Sequence, residues 1–293
     1  MEHPELAFRE RIMDGLREHL AMSGGTISRT ELTPFLVDAD LRIRLIDASK
    51  GIWNPSELEA TLSIVSSPSG PYSDREEGGL LRYAYRAGSI DGDNRKLRRA
   101  MALGLPLILL RKIDTGLFMP VFPVFVVADD QQQREFVVAL DDSLRFLADP
   151  EQPAPAERRY AERVAWQRLH QPEFRVKVLR AYEGRCTICR LRHTELLDAA
   201  HIISDRHRYG DPVVPNGLSL CKIHHAAYDR DLLGITGDGE VRVNQRLLDE
   251  IDGPMLRHGL QEMHRSVIAP PAKTKDRPDR DRLDRRFQRF LAA

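Results

Sequence analysis

The spacing of apolar residues along the chain changes period several times, and each change marks an element. Leu6, Phe8, Ile12, Leu16 and Leu20 recur close to helical spacing and predict a helix over about residues 4–21. In "LRIRLID", Leu41, Ile43 and Leu45 alternate with polar residues, as one face of a strand does. "ATLSIVS", "LLRYAYR" and "LPLILLRKI" read as further strands, separated by Gly, Pro, Ser and Asp clusters. "NRKLRRAMALGL" reads as a helix closed by Gly104, and "VFPVFVV" and "EFVVALD" flank the polar "ADDQQQR" as the arms of a hairpin would. Together these elements predict a barrel-like α+β domain over residues 1–147.

"ADPEQPAPAE", residues 148–157, carries three prolines and no apolar period, which predicts a linker. "AERRYAERVAWQRLH" and "PEFRVKVLRAYEG" then read as two helices parted near Pro172, opening a second domain over residues 158–293. Near the end, "APPAKTKDRPDRDR" predicts an extended, solvated segment. In "DRLDRRFQRFL" after it, Leu283, Phe287 and Phe290 have the spacing of a docked helix.

A composition of 42% hydrophobic and 30% charged residues fits a soluble globular chain. No apolar run approaches the roughly 20 residues of a membrane span. The opening "MEHPELAFRE" lacks the apolar core of a signal peptide, so a cytoplasmic protein with no membrane partner is expected. Net charge is zero but uneven: residues 1–150 hold 18 Lys and Arg against 23 Asp and Glu, and residues 151–293 hold 26 against 21. The second half suits a polyanion without demanding one.

All three cysteines, Cys186, Cys189 and Cys221, fall in one 36-residue window. An odd number argues against a disulfide framework. Cys186-Thr-Ile-Cys189 is a C-x2-C knuckle and Cys221-Lys-Ile-His224 repeats the spacing as C-x2-H. The four make a closed Cys3His set for structural Zn²⁺. Redox dithiols share C-x2-C, but the strand–helix context of a thioredoxin-like pair is missing here. Between the half-sites, "LLDAAHII" reads as a strand carrying His201 and "DPVVPNG" as a loop carrying Asn216. "CKIHHAAYDRDLL" reads as a helix with His225 and Asp229 four apart on one face.

This order of strand with His, loop with Asn and helix with His resembles the HNH endonuclease family. "AAHI…NGLSLC…HH…D" is similar to its bacterial restriction-type branch, over about residues 174–235. The resemblance implies a ββα-metal fold framed by the zinc knuckle. It implies that His201 is the general base that activates water, that Asn216 braces the loop and orients His201, and that His225 binds a catalytic Mg²⁺ or Mn²⁺ with Asp229 as second ligand. Where the family often has Asp or His before the base, this chain has Ala200, so Asp198 is a further candidate ligand. Arg206 and Arg208, in the loop after His201, are candidate DNA-phosphate contacts.

The first half resembles the PUA/SRA-like modules fused to bacterial HNH endonucleases, in "SIVSSPSGPYSDREEGGLLRYAYR", "DNRKLRRAMALGLPLILL" and "MPVFPVFVV". That resemblance implies a β-barrel-type reader of a modified base, flipped from double-stranded DNA into an aromatic pocket. Trp53, Tyr72, Tyr83 and Tyr85 are candidate walls, Asp74 a candidate acceptor from the exocyclic amine, and Asn94 and Arg98 candidate contacts to backbone or neighbouring bases. The leading expectation is thus a modification-dependent restriction endonuclease. A homodimer is expected with it, since one HNH site nicks one strand. The alternatives are an HNH nuclease of ordinary sequence or structure specificity, as in repair, and a non-catalytic zinc DNA-binding protein. His201 and Asn216 favour catalysis, because a binding module needs neither.

Overall fold

The computed structural model describes residues 3–67, 74–86, 92–205 and 207–293. The chain divides into two units, Met1–Pro172 and Glu173–Ala293. Among the described residues no helix is long and apolar enough to cross a membrane.

The first unit starts with helix α1 (Glu5–Ser23), close to its predicted span, and ends it on Gly24 in the left-handed conformation. Its apolar face, Ile12, Met13 and Leu16, packs with Ile27, Leu32, Leu45, Ile108 and Leu110. Strands β1 (Ile27–Ser28), β2 (Phe35–Leu36), β3 (Arg42–Ile43) and β4 (Ile52–Trp53) are short. β5 (Ser63–Ser66), β6 (Arg75–Glu77), β7 (Leu80–Ala84), β8 (Leu107–Asp114), β9 (Leu117–Asp130) and β10 (Glu135–Ala139) form the body of the sheet, with helix α2 (Asn94–Leu103) between β7 and β8. Strand order is β4-β5-β8-β9-β10-β7-β6, with β1 also on β9. Among the described residues only β5 and β8 run parallel, and the β6–β7 hairpin and α2 lie in the long crossover such a pair requires.

Two expectations change here. Among the described residues no pairing joins β4 to β6, so no closed barrel is found there. "LRIRLID" alternates as a strand should, yet only Arg42 and Ile43 enter a ladder. Leu45 is fully buried but spends its backbone on Leu32 and Ser63. Burial of alternate residues fixes which side chains turn inward; ladder pairing needs a partner of matching length, which β2 is not.

Helix α3 (Pro155–Ala165) begins inside the predicted linker segment, with Pro155 at the first helical position where a missing N–H costs nothing. A π turn (Trp166–His170) separates it from α4 (Gln171–Ala181), with Pro172 second in α4. A proline there removes one ladder bond, and the wider turn before it absorbs the loss.

In the second unit, α4 is followed by β11 (Leu197–His201), β12 (Gly217–Cys221) and α5 (Lys222–Asp229), then β13 (Leu233–Ile235), β14 (Val241–Val243), α6 (Gln245–Asp249), α7 (Pro254–Gly259) and α8 (Arg280–Leu291). β11 and β12 pair antiparallel, placing His201 opposite Gly217 and Leu197 opposite Cys221. One core joins Phe174 and Val178 of α4, and Tyr182 just after it, with Leu197 and Ala200, Leu218 and Leu220, and Ala227 and Tyr228. Gly217 permits this packing: a Cβ there would stand 2.4 Å from Val178 Cγ2 and 2.9 Å from Phe174 Cζ. The "APPAKTKDRPDRDR" stretch is not simply solvated. Ala269 exchanges hydrogen bonds with Thr187, Pro271 is buried, and the Asp279 N–H donates to the Pro215 carbonyl. Its charged composition hid a segment that docks through backbone groups.

Candidate functional site

β12 runs straight into α5, so Cys221 ends a strand and His224 and His225 follow on the first turns of a helix. Successive helical residues point about 100° apart, which sends the paired histidines to different neighbours.

His224 turns inward. Its Nδ1 lies 3.1 Å from Cys221 Sγ and 3.5 Å from Cys186 Sγ, and Cys189 Sγ lies 3.9 Å from Cys221 Sγ. All four ligand atoms are within 4.8 Å of one another. A tetrahedral zinc with bonds of about 2.3 Å to sulfur and 2.0–2.1 Å to nitrogen sets such edges at about 3.5–3.8 Å, so the set fits the ion. His224 Nε2–H donates to the Gly259 carbonyl at 2.8 Å, which leaves the Nδ1 lone pair facing the sulfurs. Hydrogen bonds from Cys189 and Cys221 hold the Cys186 thiol far below its ordinary pKa, the ionised form a metal ligand needs. Burial opposes a charged His224, yet its contacts with Cys186 and Cys221 raise its pKa to about 10. The metal-free cluster therefore carries protons that an arriving cation displaces.

His225 faces the other way. Its Nδ1 is 3.3 Å from Asp198 Oδ2 and its Nε2 3.3 Å from Asp229 Oδ2. Lys222 Nζ is 2.9 Å from the other Asp198 oxygen. Burial tends to raise the Asp198 pKa, but Lys222 and His225 outweigh it and hold the carboxyl below the usual range. With Nδ1–H given to Asp198, the Nε2 lone pair stands beside a carboxylate oxygen, two electron-rich atoms that a cation reconciles. Adjacent ligands of an octahedral ion at about 2.1 Å sit about 3.0 Å apart, close to the 3.3 Å observed. Ala200, in the position before His201, is fully buried in the core and contributes nothing polar.

His201 ends β11 and stacks on Phe174, with ring centroids 4.1 Å apart and planes 15° from parallel. Its Nε2 is buried without a hydrogen-bond partner among the described residues. Burial lowers its pKa below the ordinary histidine value; the nearby charges of Asp205, His225 and Asp229 act in both directions. Asn216 is fully buried, its Oδ1 accepting from Ile203 N at 2.9 Å and its Nδ2 donating to the carbonyls of Ile203 and Asp211 at 3.0 and 3.1 Å. Thus Asn216 pins both ends of the loop that leaves His201, while Phe174 holds the ring itself. Asn216→Ala is expected to leave Ile203 N–H unpaired at a cost of about 1–3 kcal/mol. Thermal unfolding with zinc content measured in parallel checks this: melting falls while zinc is retained.

Phe174, Lys222 and Gly259 are the partners that sequence spacing missed. Lys222 sits next to Cys221 in the chain and was within reach of a helix-face argument. Nothing local marks Phe174 or Gly259.

Among the described residues, the candidate base-pocket residues of the first unit have different neighbours. Asp74 and Tyr83 line a cleft with Lys50, Gly51, Val65 and Arg86. Burial raises the Asp74 pKa, although its carboxylate accepts from the Ala84 N–H at 3.3 Å. Tyr83 donates its hydroxyl to the Gly51 carbonyl at 2.9 Å. Trp53 packs on the α1 core and donates Nε1–H to the Arg44 carbonyl at 2.7 Å. Tyr85 is buried against Phe136 and bonded to Asp129 and Arg98, and Arg98 pairs with Asp129 at 2.6 Å. Asn94 is buried at the start of α2, with its Oδ1 3.3 Å from Arg86 N. Tyr72 and Arg206 lie outside the described residues, and Arg208 is exposed beside Tyr209.

Comparison with known proteins gives three findings. No curated protein matches the chain. Among solved structures, the chain is similar to the "Modification dependent TagI restriction endonuclease", at 17% identity and a TM-score of 0.31, over 83% of this chain and 86% of that one. It is also similar to the "Type IV phosphorothioation-dependent restriction endonuclease ScoMcrA", at 16% identity and a TM-score of 0.22, over 56% of this chain and 49% of that one. Residues 186–236 match the HNH endonuclease family, a segment that contains the Cys3His cluster, His201, Asn216, His225 and Asp229. That segment of the chain is an HNH endonuclease domain.

Proposed function

We propose that the chain is a metal-dependent DNA endonuclease directed to modified DNA by its first unit. The observation that carries the catalytic part is His201: a part-buried imidazole with a lowered pKa, stacked on Phe174, whose buried Nε2 has no partner among the described residues. It takes a proton from a water molecule as that water attacks the phosphodiester phosphorus. Asn216 fixes the loop around it. His225 and Asp229 hold a divalent ion, Mg²⁺ or Mn²⁺, and Asp198 orients His225 by accepting from Nδ1–H. The ion, when bound, supplies positive charge for the crowded phosphate and the leaving 3′ oxygen. Cys186, Cys189, Cys221 and His224 hold Zn²⁺ as scaffold. A double-strand break needs two such sites, which is the ground for a homodimer.

The reading part rests on the cleft at Asp74 and Tyr83, with the carboxylate as acceptor for the exocyclic amine of a flipped base and Lys50 and Arg86 at the rim. The engagement of Trp53 and Tyr85 with the unit's own residues favours the second reading, a nuclease of ordinary specificity. Matched plasmids that are unmodified, cytosine-methylated, hydroxymethylated or adenine-methylated separate the two. Preferential cutting of one modified plasmid, lost in Asp74→Ala while unmodified DNA is cut as before, is expected; equal cutting of all four selects the second reading.

A further inference from the structure

Helix α8 lies outside the segment that matches the HNH family, yet it is built onto the loop that follows His201. Asp279, its N-cap, has its N–H on the Pro215 carbonyl at 2.9 Å, and Arg282 reaches Asp211 Oδ2 at 3.4 Å. Asp211 is also a residue whose carbonyl Asn216 holds. The loop is tightly closed: a Cβ on Gly210 would stand 1.9 Å from the Ser204 carbonyl oxygen. Tyr209 therefore lies between His201 and Asn216, next to a closely packed Gly210 and on the side that α8 braces through Pro215 and Asp211.

Two guanidiniums flank that tyrosine. The Arg208 group lies 4.3 Å and the Arg285 group, from α8, 5.0 Å from the ring centroid. All three side chains are exposed, and Arg208 also donates to the Tyr209 hydroxyl. Neither arginine has a carboxylate partner among the described residues, although the rest of α8 is closely paired: Arg280 with Asp238, Arg282 with Asp211, and Arg286 and Arg289 with Asp231. An aromatic face orients a guanidinium while leaving its N–H groups to find acceptors in solvent. Two such groups, fixed and unpaired with acid, match a run of phosphates.

We infer that Arg208, Tyr209 and Arg285 form a clamp for the DNA backbone, with α8 as the part of this chain that completes it. The inference rests on the nuclease reading for its purpose, since the clamp holds the strand beside His201, but not for its chemistry.

The test measures duplex DNA binding by the full chain, without added Mg²⁺ or Mn²⁺, over a range of salt. Each phosphate contact contributes about 0.9 to the slope of log affinity against log salt, so Arg208→Ala/Arg285→Ala is expected to lower the slope by about 1.8. Zinc content and melting should stay as in the wild type. Arg208→Lys/Arg285→Lys keeps both charges and is expected to recover most of the slope. An unchanged slope in the alanine variant overturns the clamp. Loss in both variants assigns the arginines to holding the loop and also overturns it, as does tighter binding of duplex RNA than of DNA with the same sequence. Plasmid nicking with Mn²⁺, run alongside, keeps the two readings apart. A wild type that binds with the expected slope but never cuts loses the nuclease reading and keeps the clamp. A double alanine variant that binds and cuts as wild type loses the clamp and keeps the nuclease.

Discussion

His224→Ala is expected to lose its zinc and unfold the second unit, whereas His225→Ala stays folded, zinc-loaded and inactive. The two residues are neighbours in sequence and both are histidines, so a difference between them must come from what each side chain faces. His224 Nδ1 is within 3.5 Å of two cysteine sulfurs and its Nε2 is held by Gly259. Removing it opens a closed tetrahedral site that ties α5 to the Cys186–Cys189 knuckle. Structural zinc contributes about 10–16 kcal/mol of apparent binding free energy in small zinc domains, comparable to the whole stability of a typical domain. Even a partial loss is enough to unfold the unit. His225 pairs with the side chains of Asp198 and Asp229 and is part-exposed, so its removal is expected to cost little stability. Zinc by atomic absorption and far-UV circular dichroism on both variants decide the matter. Zinc lost from His225→Ala and kept by His224→Ala would mean that the roles are exchanged.

His201→Ala is expected to lower the DNA cleavage rate by about 10²–10⁴-fold, the range that general base catalysis supplies, without loss of zinc. The pH profile adds a second, signed expectation. A base works only when neutral, and burial disfavours the protonated imidazole, so the folded pKa of His201 lies below the ordinary value of 6.5. Cleavage should therefore rise with pH and reach its plateau at lower pH than a solvent-exposed histidine would give. Bringing a cation to His225 and Asp229 shifts the limb in the same direction. A limb centred well above pH 7 would point to a different titrating group. Replacing Phe174 with Leu, which removes the stacked face but keeps an apolar contact, should move that limb toward the ordinary value.

The zinc set was legible in the sequence because a C-x2-C knuckle and a C-x2-H turn are local devices whose spacing is fixed by the ligand geometry itself. The placement of His201, Asn216 and His225 on strand, loop and helix was legible for a related reason: these elements are short and follow one another along the chain, with β11 pairing directly to β12. The partners that set the properties of these groups were not legible. Phe174 reaches His201 from a separate helix, and Gly259 reaches His224 across 35 residues through a backbone carbonyl that no side-chain pattern reports. Arg285 lies on the helix whose docking the spacing predicted, but spacing did not say that it would meet Tyr209. The first unit shows the converse. Its helices and most of its strands followed their periodicity, but among the described residues no pairing closes the sheet, and its aromatic residues have different neighbours. Period tells which side chains turn inward; it does not say which of them meet.

The decisive measurement is nicking of supercoiled plasmid by the purified full chain with Mn²⁺, with EDTA, and with His201→Ala in place of the wild type. Conversion of plasmid by wild type in Mn²⁺, abolished by EDTA and reduced at least a hundredfold in a zinc-replete His201→Ala, is the predicted result. Modified and unmodified plasmids both left intact by the wild type in Mn²⁺, or cut equally well by His201→Ala, would contradict a nuclease built on this histidine.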